Sequence, residues 1–385
     1  MQPFTLVLIT LTLAAAGPVH AAGEIHVPGD YLDPQAAINA ALPGDLIVVH
    51  GGTWRSITID KPLHLLGDPA PLFEGMLQGT FSLDYVSPLT LAGPGSGVVT
   101  LSNIKTGGSI GGIASHVGSG VTGGGFDELH IFDSVLRGNA WTAVTDPAPG
   151  APGLSVSVPF VLIERSTVEA SASLEVTGLG GAESVAGIQA SSSTVVVLDS
   201  TVKGGTGGPW YMHPSWGPCS GFGSCTPCAI GVGGAGIKCH TLHHAGSTII
   251  GGKGADWYDD TWAYCTTLPD GPAVSAVVEV PLSNNLVGTD KMKLGSTYGL
   301  LWTTPGPSAW LFFSLGVGPP LQIPGLGLGY LDLGSAVSLG VHAAPGAATF
   351  AIPSTPALLG QTVAFQAFDP TAGVITRPVA GTLQH

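Results

Sequence analysis

A short cassette recurs along this chain and restricts what it can fold into more than any other feature. Its copies are Ser134-Val-Leu-Arg-Gly138, Ser166-Thr-Val-Glu-Ala170, Ser200-Thr-Val-Lys-Gly204 and Ser247-Thr-Ile-Ile-Gly251, with Asn103-Ile-Lys-Thr-Gly107 read as a fifth. Aliphatic runs precede most copies: Leu129–Asp133, Val161–Arg165 and Val195–Asp199. A strand–turn unit repeated at this period is the mark of a solenoid, and the unit contains no helical segment, so the expected solenoid is a β-helix. A second mark, Gly-aliphatic, stands ahead of the serine at Gly153-Leu154, Gly187-Ile188 and Gly236-Ile237. Each turn thus reads as a Gly-aliphatic strand, an aliphatic strand, a corner and a cassette strand. The serines and Asn103 are expected to stack at a corner, where short polar side chains bond neighbouring backbone. Val135, Val168, Val202 and Ile249 are expected to stack inside. The cassette serines at 134, 166, 200 and 247 are further apart than a minimal turn requires, so each turn carries a loop; the longest runs from Gly204 to Gly236.

The N-terminal third supplies a cap. Asp33 is placed to cap a helix that begins at Pro34 and carries Ala37, Ile38 and Ala41. The segment Gln35–Gly67, with Pro43-Gly44-Asp45, Ile47-Val48-Val49, Gly52-Thr53-Trp54 and Lys61-Pro62-Leu63, resembles the N-terminal cap and first turn of right-handed parallel β-helices of the pectin-lyase-like superfamily. Trp54 stands where the superfamily usually has Tyr. The resemblance implies the fold and brings no catalytic residue with it. Physically, a solenoid end is an open sheet edge, and a short amphipathic helix covers it.

The first residues read as an export signal. Phe4–Ala16 is apolar and too short to span a bilayer, and Val19-His20-Ala21 supplies small residues for cleavage, although the segment before the apolar run has no Lys or Arg. Charged residues make up 9% of the chain and Gly totals 59, which with the β-branched content indicates an ordered, loop-rich β protein. A net charge of −14 argues against nucleic acid as a partner, and no later stretch reads as a membrane span. Cys219, Cys225, Cys228, Cys239 and Cys265 fall in one stretch. In an exported chain they are disulfide candidates, with one of the five left over; a bridge from Cys239 or Cys228 to Cys265 would pin two loops together.

Beyond Asn284 the cassette stops. Short strand-like runs such as Tyr298–Trp302, Trp310–Leu315, Val337–Val341 and Thr362–Phe368, separated by Gly/Pro turns, predict a small β-sandwich. Gly299-Leu-Leu, Phe312-Phe-Ser-Leu315, Leu331-Asp-Leu333 and Leu359-Gly-Gln361 resemble the compact C-terminal β domain of secreted planctomycete-like and myxobacterial proteins. That resemblance implies secretion or surface display.

Chemistry is less legible. The aromatic-acidic run Asp256, Trp257, Asp259, Asp260 and Trp262, with Trp210 and Trp216 from the preceding loop, could bind a polysaccharide, since rings stack on sugar faces and carboxylates accept hydroxyl hydrogen bonds. A carboxylate pair there could also work on a glycosidic bond. The plainer reading, that these rings pack the loop, is preferred. His240 and His244 share one strand face and His243 the other; two histidines with Asp256 or Asp260 could hold a metal, but spacing fixes no third ligand. Asp133, Glu164 and Asp199 on successive turns could bind calcium as a lyase of that superfamily would, with Arg165 as the base, although a strand would place Glu164 and Arg165 on opposite faces. Outward charges are also an ordinary solvated wall.

The expectation is therefore an all-β protein: signal 1–22, right-handed parallel β-helix with an N-terminal capping helix over 23–282, and a C-terminal β-sandwich over 283–385. It is secreted or on the cell surface, without a cofactor unless calcium binds. Its expected role is a non-enzymatic scaffold presenting loops, with polysaccharide or cell-surface components as partners. The alternative is a polysaccharide lyase or glycoside hydrolase, for which no catalytic residue is identified.

Overall fold

In the computed structural model the described residues are 23–75, 87–107, 118–139, 150–172, 184–207, 232–254, 269–283, 285–288, 291–324 and 327–384, together with the strand Val7–Thr10. They form a parallel β-helix followed by a smaller domain of antiparallel sheets.

Each turn of the helix contributes three strands. Opening strands such as Ile57–Ile59, Leu89–Ala92, Val121–Gly124 and Leu154–Ser157 pair in parallel along one face. Middle strands, from Glu24–Val27 through Leu46–Val49, Leu63–Gly67, Val98–Ser102, Glu128–Phe132 and Phe160–Glu164, form the second. Cassette strands from Thr53–Arg55 to Thr248–Ile250 form the third. In the last turns the opening and middle strands run together, as in Ile188–Leu198, Ile237–Ala245 and Val274–Pro281. Inward positions stack turn on turn. Val99, Leu129, Val161, Val195 and Leu242 form one column, and Leu65, Leu101, Ile131, Ile163 and Val197 another; all ten are buried.

The Gly-aliphatic marks are in register: Leu154 lies opposite Ile188, and Ile188 opposite Ile237. A Cβ on Gly187 or Gly236 would come within 2.5 Å of a carbonyl oxygen on an adjacent segment, so only glycine passes this corner. The serine column also forms as expected. Ser166, Ser200 and Ser247 each accept, through Oγ, the backbone N–H of Ser134, Ser166 and Ser200 respectively, at 3.0–3.2 Å. Each also donates to the carbonyl two residues back, as does Ser134.

Two register expectations need correction. Leu136, not Val135, continues the column of Val168, Val202 and Ile249; Val135 lies opposite Thr167. Once the serines are aligned, Val135 is one residue early, and a shift of one residue turns a side chain to the other face. Ile249 closes the column half-buried, packed against the core. Asn103 is likewise one position off. Lys105 lies opposite Val135, so Ile104 occupies the serine row and Asn103 lies beside Asp133. Asn103 belongs to a column of left-handed corner residues, Asn103, Asp133, Arg165, Asp199 and Gly246, with φ of 52°, 51°, 48°, 46° and 63°.

The helix Pro34–Ala40 covers the first turn. Asp33 accepts from Ala36 N, and Ala37 and Ile38 are buried. The Gln35 side chain accepts from Thr58 N (2.6 Å) and donates to Thr58 O (3.1 Å), so it serves the first opening strand as a substitute neighbour. At the other end the sandwich expectation holds. One sheet contains Gly346–Ala351, Thr297–Trp302 and Leu286–Gly288, with Val7–Thr10 added in parallel at its edge; the other contains Val337–Ala343, Ser308–Ser314, Thr362–Asp369, Val374–Ile375 and Val379–Thr382. Between them Tyr298, Leu300, Trp302, Leu311, Phe313, Phe350 and Phe365 form a core. No helix among the described residues is long and apolar enough to cross a membrane.

Candidate functional site

The three faces of the solenoid differ in what they offer. The middle-strand face is closed. Its outward residues Phe132, Phe160, Leu162, Val196, Leu198 and Ala245 pack on Val317, Tyr330, Ala364 and Ala380 of the C-terminal domain, and Leu46, Val48 and Leu66 pack on Leu359. That double burial explains the nearly continuous aliphatic runs of these strands. The cassette face carries the cross-strand charges Arg137, Glu169 and Lys203, in register; Arg137 Nε donates to Glu169 at 2.9 Å.

Among the described residues the opening-strand face is left open. Thr58, Thr90, Thr122, Ser155, Gln189, Lys238 and Ser275 stand in one register column, each exposed or half-buried. Adjacent turns are spaced by about 4.8 Å in a parallel sheet, so the column is a ladder of polar side chains at that repeat. The sequence carries the signal, a polar residue directly after each Gly-aliphatic mark at Ser155, Gln189 and Lys238.

The aromatic and acidic residues favoured from the sequence, Trp210, Trp216, Asp256, Trp257, Asp259, Asp260 and Trp262, lie outside the described residues. So do Cys219, Cys225, Cys228 and Cys265. Their attachment points are described. Both segments leave the solenoid between a cassette strand and the next opening strand, and their stems are bonded to each other. Gly207 N donates to Lys253 O (2.9 Å), Gly252 N to Gly234 O (2.7 Å) and Gly233 N to Pro269 O (3.2 Å). Asp270 closes the second stem by accepting from Gly254 N at 2.9 Å. The two segments therefore arise from one base, at the border of the open face.

The acidic stack is brought together, but for a different task. Asp133 and Asp199 are corner residues, and so is Arg165. The left-handed corner interrupts strand alternation, which corrects the expectation that Glu164 and Arg165 diverge. Arg165 Nε donates to Asp133 Oδ1 at 3.0 Å, and Nη1 donates to Glu164 Oε1 and to Ala380 O at 2.5 and 2.9 Å. Glu164 Oε2 accepts from Ala380 N at 2.8 Å. Arg377, fully buried, donates to Asp199 Oδ2 (2.8 Å) and Leu286 O (2.6 Å). Gln384 Nε2 reaches Asp133, and Lys291 Nζ reaches Asn103 Oδ1. Burial pushes the Glu164 carboxyl up to about 7 against the pull of Arg165 and the Ala380 N–H. Burial opposes the Arg165 charge, but Glu164 and Asp133 together raise its pKa. Guanidinium groups and a backbone N–H thus occupy the carboxylates of Asp133, Glu164 and Asp199. This column is an interdomain clamp, where the sequence alone suggested a solvated wall. Arg377 and Gln384 escaped the sequence reading because only the docked domain brings them here.

The histidines do not converge. His240 is exposed, His243 is buried with its Nδ1 2.7 Å from the Tyr330 hydroxyl, and His244 pairs with Glu279 at 3.0 Å. A register irregularity at this corner separates His240 from His244. Among the described residues no group of three His, Cys, Asp or Glu side chains is placed to hold a metal. Cys239, the one described cysteine, is a buried thiol facing the core between Ala190 and Ala276, and it forms no disulfide among the described residues. Burial, then Glu279, pushes its thiol up to about 11. Comparison of the chain with protein-family models, with curated proteins and with solved structures finds no match.

Proposed function

We propose that this chain is an exported, non-enzymatic β-helix scaffold that binds an extracellular polysaccharide along its open face, and that its distant kinship is with the pectin-lyase-like superfamily. The observation that carries the reading is the polar column Thr58–Ser275, which borders the shared base of the two aromatic-bearing segments. A linear glycan needs a long, shallow strip of hydroxyl and amide partners together with ring platforms. The other two faces are less suited, one being occupied by the C-terminal domain and the other lined with paired charges. The leader-like residues 1–22 support export. The enzymatic alternative is weakened because Asp133, Glu164 and Asp199 are engaged in the interdomain clamp.

A glycan-array and polysaccharide-degradation screen of the protein tests this. Binding without chain cleavage is expected. Thr122→Arg and Gln189→Arg on the open face, and separately Trp257→Ala with Trp262→Ala, should each weaken binding while leaving the thermal midpoint nearly unchanged. Release of shortened sugars, or binding indifferent to all four changes, would overturn the reading.

A further inference from the structure

The C-terminal domain contains a cavity that the scaffold reading does not use. It has a volume of about 520 Å³ and lies between the outer face of one sheet and the hairpin Val317–Ile323/Gly327–Leu331. Trp310, Phe312 and Phe368 form the sheet wall, and Ile323 and Leu331 the hairpin wall. Trp310 meets Phe312 and Phe368 edge-on, at centroid distances of 6.4 and 6.2 Å. The size lies within the range of small-molecule sites, roughly 300–1,000 Å³.

The polar groups of the cavity decide its ligand. Gln366 accepts from Tyr330 N and donates to Leu328 O and Thr376 O. Ser338 Oγ accepts from Gly340 N. No lining residue is ionisable. Apart from the Ser338 hydroxyl, which is exposed, a sugar or a peptide backbone entering here would lose its water with few side-chain partners to replace it, at a cost of several kcal/mol. A hydrocarbon chain loses nothing of the kind. Around the mouth, Trp310 (42% exposed), Val341 (56%) and Leu333 (66%) extend the apolar surface outward. With a net charge of −14 and no cation in the lining, the chain disfavours an anionic head group.

We infer that this cavity binds the aliphatic chain of a neutral amphiphile, one chain per molecule, with its head group at the Trp310–Leu333 mouth. The hairpin that roofs it is fixed to the solenoid through Tyr330 and His243, so the site is preformed.

The test is titration with bromine-tagged dodecanol, kept below its aggregation concentration, following tryptophan fluorescence and the thermal midpoint. Wild type should show saturable quenching and a rise in midpoint, and a carboxylate of equal chain length should bind at least several-fold more weakly. Trp310→Phe should keep the midpoint rise and lose the quenching. Ala336→Leu should lose both without lowering the unliganded midpoint. Gly329→Leu is the second filling variant, since the closest atom a Cβ there meets is the flexible tip of Ile323, at 3.0 Å. Quenching only above the aggregation concentration, or an equal midpoint rise in both filled variants, would overturn the site.

Discussion

His64 and Cys239 show how burial alone sets the chemistry of single residues. His64 lies in the middle-strand face between Leu46 and Thr100, and its Nδ1 is sealed from water with no hydrogen-bond partner. Burial, and secondarily His130, lowers its pKa to about 4. A depressed pKa means that the unfolded chain binds the proton first, so stability present above pH 6.5 is lost as pH falls toward 4. Glu164 acts in the opposite sense, its contribution being lost as pH rises from 4.5 to about 7. The two slopes oppose each other in the overlap, so the His64 effect shows best as a difference. His64→Leu should be more stable than wild type at pH 4.5 by about 2 kcal/mol, and the gain should shrink toward pH 7 in urea denaturation followed across pH. A constant difference across that range would contradict the burial argument. Cys239 should resist maleimide in the native protein and react once in urea without reductant, because a buried thiol with a raised pKa supplies little thiolate. Mass spectrometry counts the label, and native-state labelling of Cys239 would place it outside the core.

At the scale of elements, the cassette is a hydrogen-bonding device as much as a packing one. Each serine hydroxyl accepts from the preceding turn and donates within its own corner, so the column fixes the register that the aliphatic pattern leaves open. Val135 and Leu136 illustrate the ambiguity, since both are aliphatic and only the serine row shows that Leu136 points inward. Leu136→Asp should prevent folding or cost about 4 kcal/mol or more, because it buries an unpaired carboxylate, whereas Val135→Asp should cost about 1 kcal/mol or less. Denaturant midpoints of the two variants distinguish the registers. Equal losses would mean that the strand is not held as described.

For the whole molecule, the decisive contact is between the solenoid and the domain that follows it. An apolar surface of Phe132, Phe160, Leu162 and Tyr330 lies beside a column of charges in which Arg165 binds Asp133 and Glu164 while Arg377 binds Asp199. Removing one member of a buried pair is costlier than removing both, because the partner keeps its charge without compensation. Arg165→Ala should therefore destabilise the protein by about 3 kcal/mol and separate its unfolding into two transitions, since Glu164 and Asp133 would then oppose docking. Circular dichroism and tryptophan emission, coincident in wild type during urea unfolding, should diverge in the variant. Coincident curves with an unchanged midpoint would show that the clamp contributes nothing to docking.

The sequence by itself determined what repeats. The Ser cassette and the Gly-aliphatic mark specify a stacked parallel coil because each is a local steric or hydrogen-bonding solution that must recur in every turn. The Pro34–Ala40 helix and the strand-rich tail were legible for the same local reason. Only the tertiary structure decided which outward residues meet solvent. Thr122, Ser155 and Gln189 are left open while Phe132, Leu162 and Glu164 are covered, and nothing in a strand's own pattern states what will dock on its far side. From spacing alone the acidic stack allowed a calcium site or a solvated wall, because spacing gives neither the corner that turns Arg165 onto Asp133 and Glu164 nor Arg377, which arrives from more than a hundred residues away to pair with Asp199.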